Sequence, residues 1–158
     1  MADRTYIVVV IVLLGILQVR CGGCPDGWQS HAQSCYTFLR ESYNWFDAKV
    51  ACDVLGAGLV EIQSAEENNY VAGLIRSHGA TQSWIGLEDI LEEGVFLWVS
   101  SKEPPEQTFW SPNGPDDRYS GEDCAAMTST GGWFDGMCEN THRTFVCEMP
   151  APEDAIIG

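Results

Sequence analysis

Residues 6–17 of this chain, YIVVVIVLLGIL, form an apolar run preceded by Arg4 and followed by polar residues and glycines. Twelve residues fall short of the ~20 that span a bilayer. The length and flanks match a secretory signal peptide cleaved near Cys21-Gly22-Gly23. After this leader the apolar positions become periodic. Cys35-Tyr36-Thr37-Phe38-Leu39 reads as a strand rich in β-formers. Trp45, Ala48, Cys52 and Leu55 fall at helical spacing and predict a helix over 43–55, capped by Ser42 and ended by Gly56 and Gly58. Ser64-Ala65-Glu66-Glu67 is a capping box that opens a second helix through Ser77, with Gly79 as its stop. Ser83-Trp84-Ile85-Gly86-Leu87 reads as a buried strand, and strand signals return at 124–127 and 144–148.

Between 88 and 122 the rhythm is lost. Apart from Phe96-Leu97-Trp98, this stretch is rich in Pro, Gly, Asp, Glu, Ser and Asn. A loop that long in a compact domain is usually functional. The pattern therefore predicts an α+β domain: two helices, short antiparallel strands and one long acidic loop. Expected boundaries are a leader over 1–23, one domain over 24–150 and a loose tail over 151–158.

Composition sharpens this picture in two ways. Seven cysteines are present, and loss of Cys21 with the leader leaves six, an even number suited to three bridges in an oxidising compartment. A secreted, extracellular protein is the expectation. The formal charge of −15 becomes −16 without Asp3, Arg4 and Arg20, which leaves 6 basic against 22 acidic residues. Such a domain is repelled by nucleic acid and by anionic membranes, and no insertion into a membrane is expected.

The acids are concentrated where the periodicity fails. Asp116, Asp117, Glu122 and Asp123 face only Arg118 in their own segment, with Glu88, Asp89, Glu92 and Glu93 upstream and Asp135 downstream. Crowded carboxylates take up protons, stay apart in solvent, or share a cation. Oxygen ligands on a flexible loop suit calcium, which takes six to eight of them. Composition alone leaves both a calcium site and a solvated acidic loop open.

Trp84-Ile85-Gly86-Leu87, Gly121-Glu122-Asp123-Cys124, Trp133-Phe134-Asp135, Cys138 and Phe145-Val146-Cys147-Glu148 stand in an order and at intervals that resemble the C-type lectin domain, from about Cys24 to Glu148. The resemblance implies the C-type lectin fold and bridges Cys24–Cys35, Cys52–Cys147 and Cys124–Cys138, one choice among 15 pairings of six cysteines. It also implies one or two bound Ca2+ ions. An auxiliary calcium falls on Asp89, Glu93, Asp117 and Asp123, with Glu122 shared. A second, sugar-bridging calcium falls on Asp116, Glu122 and Asp135, in a carbohydrate-binding set completed by Gly114 and Phe134. In the family two vicinal sugar hydroxyls coordinate that ion, and Pro115 of the Gly114-Pro115-Asp116 triplet is cis when calcium is bound.

Two positions depart from the family's pattern. Gly114 stands where a Glu or Gln is usual, and Phe134 where an Asn is usual. Neither supplies a side-chain oxygen or an amide donor, and each lost charge-assisted bond removes about 1.5–3 kcal/mol. Water, Arg118, Tyr119 or stacking on Phe134 are the available replacements. Asp116 leans the expected ligand towards galactose-type sugars.

The resemblance implies a non-catalytic, calcium-dependent lectin for cell-surface or microbial glycans. Its rival keeps the fold and a structural calcium and recognises protein, mineral or ice instead. His31, His78 and His142 are scattered without a placed nucleophile, and Trp84, Trp98, Trp110 and Trp133 read as packing residues. A glycosidase pair finds no isolated acid in an apolar pocket, and the chain contains no Asn-x-Ser/Thr sequon. One shallow site per domain gives useful avidity only through multivalency. A homo-oligomer is therefore open, through the domain itself or through Cys21 where cleavage spares it.

Overall fold

The computed structural model describes residues 23–112 and 114–152. Residues 1–22 of the expected 1–23 leader and residues 153–158 of the expected 151–158 tail lie outside the described residues. Among the described residues eight strands form one sheet: β1 (Gln29–His31), β2 (Ser34–Tyr43), β3 (Gly58–Leu59), β4 (Gln82–Glu88), β5 (Leu97–Trp98), β6 (Cys124–Thr128), β7 (Trp133–Gly136) and β8 (Arg143–Pro150). Helix α1 (Trp45–Val54) follows β2, and α2 (Ala65–Ser77) follows β3. The strand order is β1-β2-β8-β4-β6-β7, with β3 added to β8 and β5 to β4. All pairings are antiparallel except β4 with β8. Among the described residues no helix is long and apolar enough to cross a membrane.

The α+β expectation and both helices are borne out, with one correction at the first cap. Strand β2 continues through Tyr43, which pairs with Arg143, so Ser42 lies inside the strand. Asn44 caps α1 instead, its side chain accepting the Asp47 N–H at 2.8 Å. Ser64 caps α2 as predicted. Glu67 reaches back one residue further than a standard capping box, accepting the Gln63 N–H at 2.8 Å and the Tyr36 hydroxyl at 2.6 Å.

Strand β4 shows why the sequence folds this way. From Ser83 to Glu88 every residue is buried, because both faces of the strand are covered. Ile85 and Leu87 join a core with Val71, Leu74 and Ile75 of α2, Val146, Trp98 and Trp133. Trp84 joins a second core with Trp45, Ala48 and Cys52 of α1, Phe145 and Cys147. Between them, Gly86 leaves no room for a side chain: a Cβ there would lie 2.7 Å from the Leu59 carbonyl oxygen.

All three bridges implied by the resemblance are formed: Cys24–Cys35, Cys52–Cys147 and Cys124–Cys138. Cys52–Cys147 ties α1 to β8 across a sequence separation of 95 residues, a closure worth about 4–5 kcal/mol in the chain-entropy view. Cys124–Cys138 joins the start of β6, where the acidic loop returns to the sheet, to the segment after β7.

Candidate functional site

The aperiodic stretch leaves β4 at Asp89 and returns at Asp123, where the Asp89 N–H donates to the Asp123 carbonyl at 3.1 Å. Its middle is stitched to β7. The Ser111 N–H donates to the Trp133 carbonyl at 2.8 Å, and the Trp133 N–H donates to the Phe109 carbonyl at 2.8 Å. Trp110 packs edge-on to Trp133 at 5.8 Å between centroids. Three of the four tryptophans read as packing residues, Trp84, Trp98 and Trp133, are buried. Of these, Trp133 ties the loop to β7 beside the acids.

Asp135 organises the meeting point. It sits on β7, paired with Ala125 of β6, and is 7% exposed. Its Oδ2 accepts the N–H groups of Asp116 and Asp117 at 2.8 and 2.7 Å. Those two bonds draw the triplet Gly114-Pro115-Asp116 over β7, and the Gly114–Pro115 peptide is cis. Asp117, at φ 36°, continues the turn. Its Oδ1 accepts the N–H groups of Gly121 and Glu122 at 2.7 and 3.2 Å, which turns Glu122 back towards Asp116.

The result is a grouping of Asp116, Glu122 and Asp135 in which one carboxylate oxygen from each lies within 4.8 Å of the others. Among the described residues it is the one such cluster of three metal-binding side chains. Burial raises the Glu122 pKa, opposed by the amides of Tyr119 and Arg118 and reinforced by the charges of Asp135 and Asp116. Arg118 offsets one of these charges from 3.1 Å, its guanidinium on Asp116 Oδ2. The all-oxygen donor set, without His or Cys, is of the kind calcium takes.

The four further acids of the auxiliary set are placed differently. Asp89 is 3% exposed. Its Oδ2 accepts the Gly94 N–H at 2.8 Å, while its Oδ1 is buried without a hydrogen-bond partner. Burial pushes the Asp89 pKa up to about 6, and the charges of Glu93 and Asp123 push the same way against the Gly94 amide. Glu93 and Asp123 are thus electrostatic neighbours of Asp89, whereas Asp117 Oδ1 is engaged by the amides of its own turn. An orphaned buried oxygen among like charges fits a cation.

Around the three-acid grouping lies an open cavity of about 270 Å³, lined also by Ser111, Gly114, Arg118, Tyr119, Phe134 and Arg143. A larger cavity of about 410 Å³ has other walls, with Glu61 and Glu148 as its carboxylates. All five residues read as carbohydrate-binding (Gly114, Asp116, Glu122, Phe134 and Asp135) line the smaller one. Gly114 leaves a real gap, since a Cβ there would meet nothing closer than the Trp133 carbonyl oxygen at 3.4 Å.

Arg143 was not legible as a site residue. Its guanidinium lies 4.8 Å from the ring centroids of both Trp84 and Phe134, and Nη1 donates to the Gln82 side-chain oxygen. The only sequence signal was that this chain has few cations to place. The histidines are packing residues where contacts are seen: His31 stacks on Tyr70 and His78 on Phe38.

The Lectin C-type domain family matches residues 41–149. A curated relative, Lectin BRA-3 of the barnacle Megabalanus rosa, is 34% identical over 151 residues, covering 91% of this chain and 89% of that protein. A mouse low affinity immunoglobulin epsilon Fc receptor is 37% identical over 131 residues, covering 83% of this chain. This chain spans only 38% of that receptor's length. Among solved structures, the cow carbohydrate-recognition domain of CD23, determined in the presence of a GlcNAc2Man3 oligosaccharide, superposes with a TM-score of 0.75. It is 34% identical, covering 84% of this chain and 99% of that one. The fold, the three bridges and these matches together make the chain a member of the C-type lectin domain family, whose domains are recognition modules rather than enzymes.

Proposed function

We propose that this protein is a secreted lectin that binds glycans through calcium held by Asp116, Glu122 and Asp135. The observation that carries the reading is the convergence of these three carboxylates within 4.8 Å, in an open cavity, on a loop anchored by Asp135. Three carboxylates supply part of a six- to eight-oxygen shell. Two vicinal hydroxyls of a sugar fill further positions, and ionised Asp116 and Glu122 accept the hydrogen bonds those hydroxyls donate. A second calcium near Asp89, Glu93 and Asp123 satisfies the orphaned Asp89 oxygen and stiffens both ends of the loop. The apolar leader supports secretion, and Asp116 supports galactose-type over mannose-type ligands.

One alternative has its own observation. Gly114 and Phe134 remove two side-chain donors from the cavity rim, which favours a structural calcium and a protein, mineral or ice partner. A glycan array on the oxidised chain, residues 24–158, separates the two readings when run in calcium and again in EDTA. Glycan signals that vanish with EDTA are the expected result. A partner bound equally well in EDTA and in excess monosaccharide supports the alternative and sinks the lectin reading.

A further inference from the structure

We propose that the site selects anionic sugars, with Arg143 contacting the carboxylate or sulfate of the bound glycan. This rests on the calcium–glycan reading above and adds the class of ligand.

The first ground is the scarcity of cations. Of the six Lys and Arg residues beyond the leader, two, Arg118 and Arg143, line this one cavity. Lys49 and Lys102 are paired with Asp53 and Glu88 on other surfaces. A random scatter of six cations over a domain with 22 acids does not favour placing two at one small opening.

The second ground is the state of Arg143. Among the described residues it makes no ion pair, and its Nε is buried without a hydrogen-bond partner. Burial draws its pKa down, against the opposing charge of Glu122. A desolvated guanidinium with Glu122 only as an electrostatic neighbour and no carboxylate at ion-pair distance is costly unless something compensates it. The faces of Trp84 and Phe134 do so in part. They also hold its plane in place, so little freedom is lost when it binds an anion. Phe134 thus has a use in the position where an amide would serve a neutral sugar: it is a rail for the guanidinium. A planar guanidinium matches the two oxygens of a carboxylate or sulfate better than any other side chain.

The third ground is the charge of the lining. Three carboxylates against two guanidiniums leave one excess negative charge. One divalent cation at the three acids reverses this to one excess positive charge. An anionic sugar is therefore repelled by the bare cavity and accepted once calcium is in place, although the domain as a whole is strongly acidic. Screening over ~8–10 Å at physiological salt lets the local charge dominate.

The test uses matched glycan pairs, sialylated against desialylated N-acetyllactosamine and 6-sulfated against unsulfated N-acetylglucosamine. Binding is measured by surface plasmon resonance to the oxidised chain, in calcium and in EDTA, for the wild type, Arg143→Gln and Arg143→Lys. The readout is the ratio of acidic to neutral binding, which loss of folded protein does not change. The wild type is expected to prefer at least one acidic member by about 10-fold or more in calcium, and the pair that shows it names the anion. Arg143→Gln should bring that ratio near one, and Arg143→Lys should keep part of it. Equal binding of both members by the wild type, or a preference that survives Arg143→Gln, overturns the proposal. If neutral glycans bind and EDTA releases them while no acidic preference exists, this inference fails and the lectin reading stands. If no glycan binds in either buffer, the lectin reading itself fails and this inference with it.

Discussion

Asp135 and Asp89 are both nearly buried carboxylates at the margins of the same loop, and the chain treats them in opposite ways. Asp135 is surrounded by donors, with the N–H groups of Asp116 and Asp117 on one oxygen. Asp89 has one amide on Oδ2 and nothing on Oδ1, with Glu93 and Asp123 close enough to raise its pKa further. The first carboxylate has its hydrogen bonds supplied by the protein and shapes the loop by itself. The second depends on a proton or a cation for its compensation. On the calcium reading proposed above, one side of the loop would be preorganised for the ion and the other completed by it.

The largest expected effect comes from breaking the preorganised side. Asp135→Ala removes a proposed metal ligand and two charge-assisted bonds of about 1.5–3 kcal/mol each. Calcium-dependent glycan binding should fall by more than ~100-fold, with a lower melting temperature even in EDTA. Asp89→Asn should behave differently on both counts. Without calcium, removing a strained charge leaves the melting temperature equal or higher, while the gain on adding calcium shrinks. Calorimetric melts of both variants with and without calcium decide the point, and identical behaviour would erase the distinction drawn between them.

The same contrast has a pH signature. The folded-state pKa of Asp89, about 6, lies above the ordinary unfolded value near 3.9. Its protonated form therefore favours the folded state. In EDTA that contribution, on the order of 2 kcal/mol, is complete below pH ~4 and is lost as pH rises through ~6. A calcium ion held at Asp89 would compete with this proton, so the stabilisation by calcium should grow over the same interval. Denaturant melts across pH 4–7 in EDTA should show the trend in the wild type, and Asp89→Asn should abolish its share.

A smaller gain is expected from filling the rim. A side chain at Gly114 would make ordinary contacts with Trp133 and Phe134. Gly114→Gln adds a carbonyl oxygen and an amide donor beside Asp116, and should strengthen binding of neutral sugars by about 3- to 10-fold. No gain in affinity, by titration with a galactoside, would place the sugar away from this rim.

Much of this arrangement was legible in the sequence because local chemistry and tertiary structure agree there. The Ser64 cap, the doubly buried run from Ser83 to Leu87 and the helical spacing of Trp45, Ala48 and Cys52 mean the same thing alone and in the fold. The resemblance supplied the three cysteine pairings and the acids of the cavity. What escaped had no local signal. Strand β3 is two residues long and exists through its pairing with β8. Strand β7 is defined by its register with β6. Asn44 displaced Ser42 as a cap because β2 keeps pairing with β8 as far as Tyr43. Arg143 acquires its meaning from Trp84, far away in the chain, and from Phe134, two strands that meet only through the sheet order.

In the proposed site one calcium is shared by Asp116, Glu122, Asp135 and a sugar. Binding of the two ligands must then be coupled reciprocally. Calcium affinity should be titrated calorimetrically without glycan and at saturation with one that the array has identified. Calcium should bind tighter with glycan present, by the same factor as calcium strengthens the glycan, and Glu122→Ala should remove the coupling. Calcium affinity unchanged by a bound glycan would contradict it, because an ion that does not sense the sugar does not hold it.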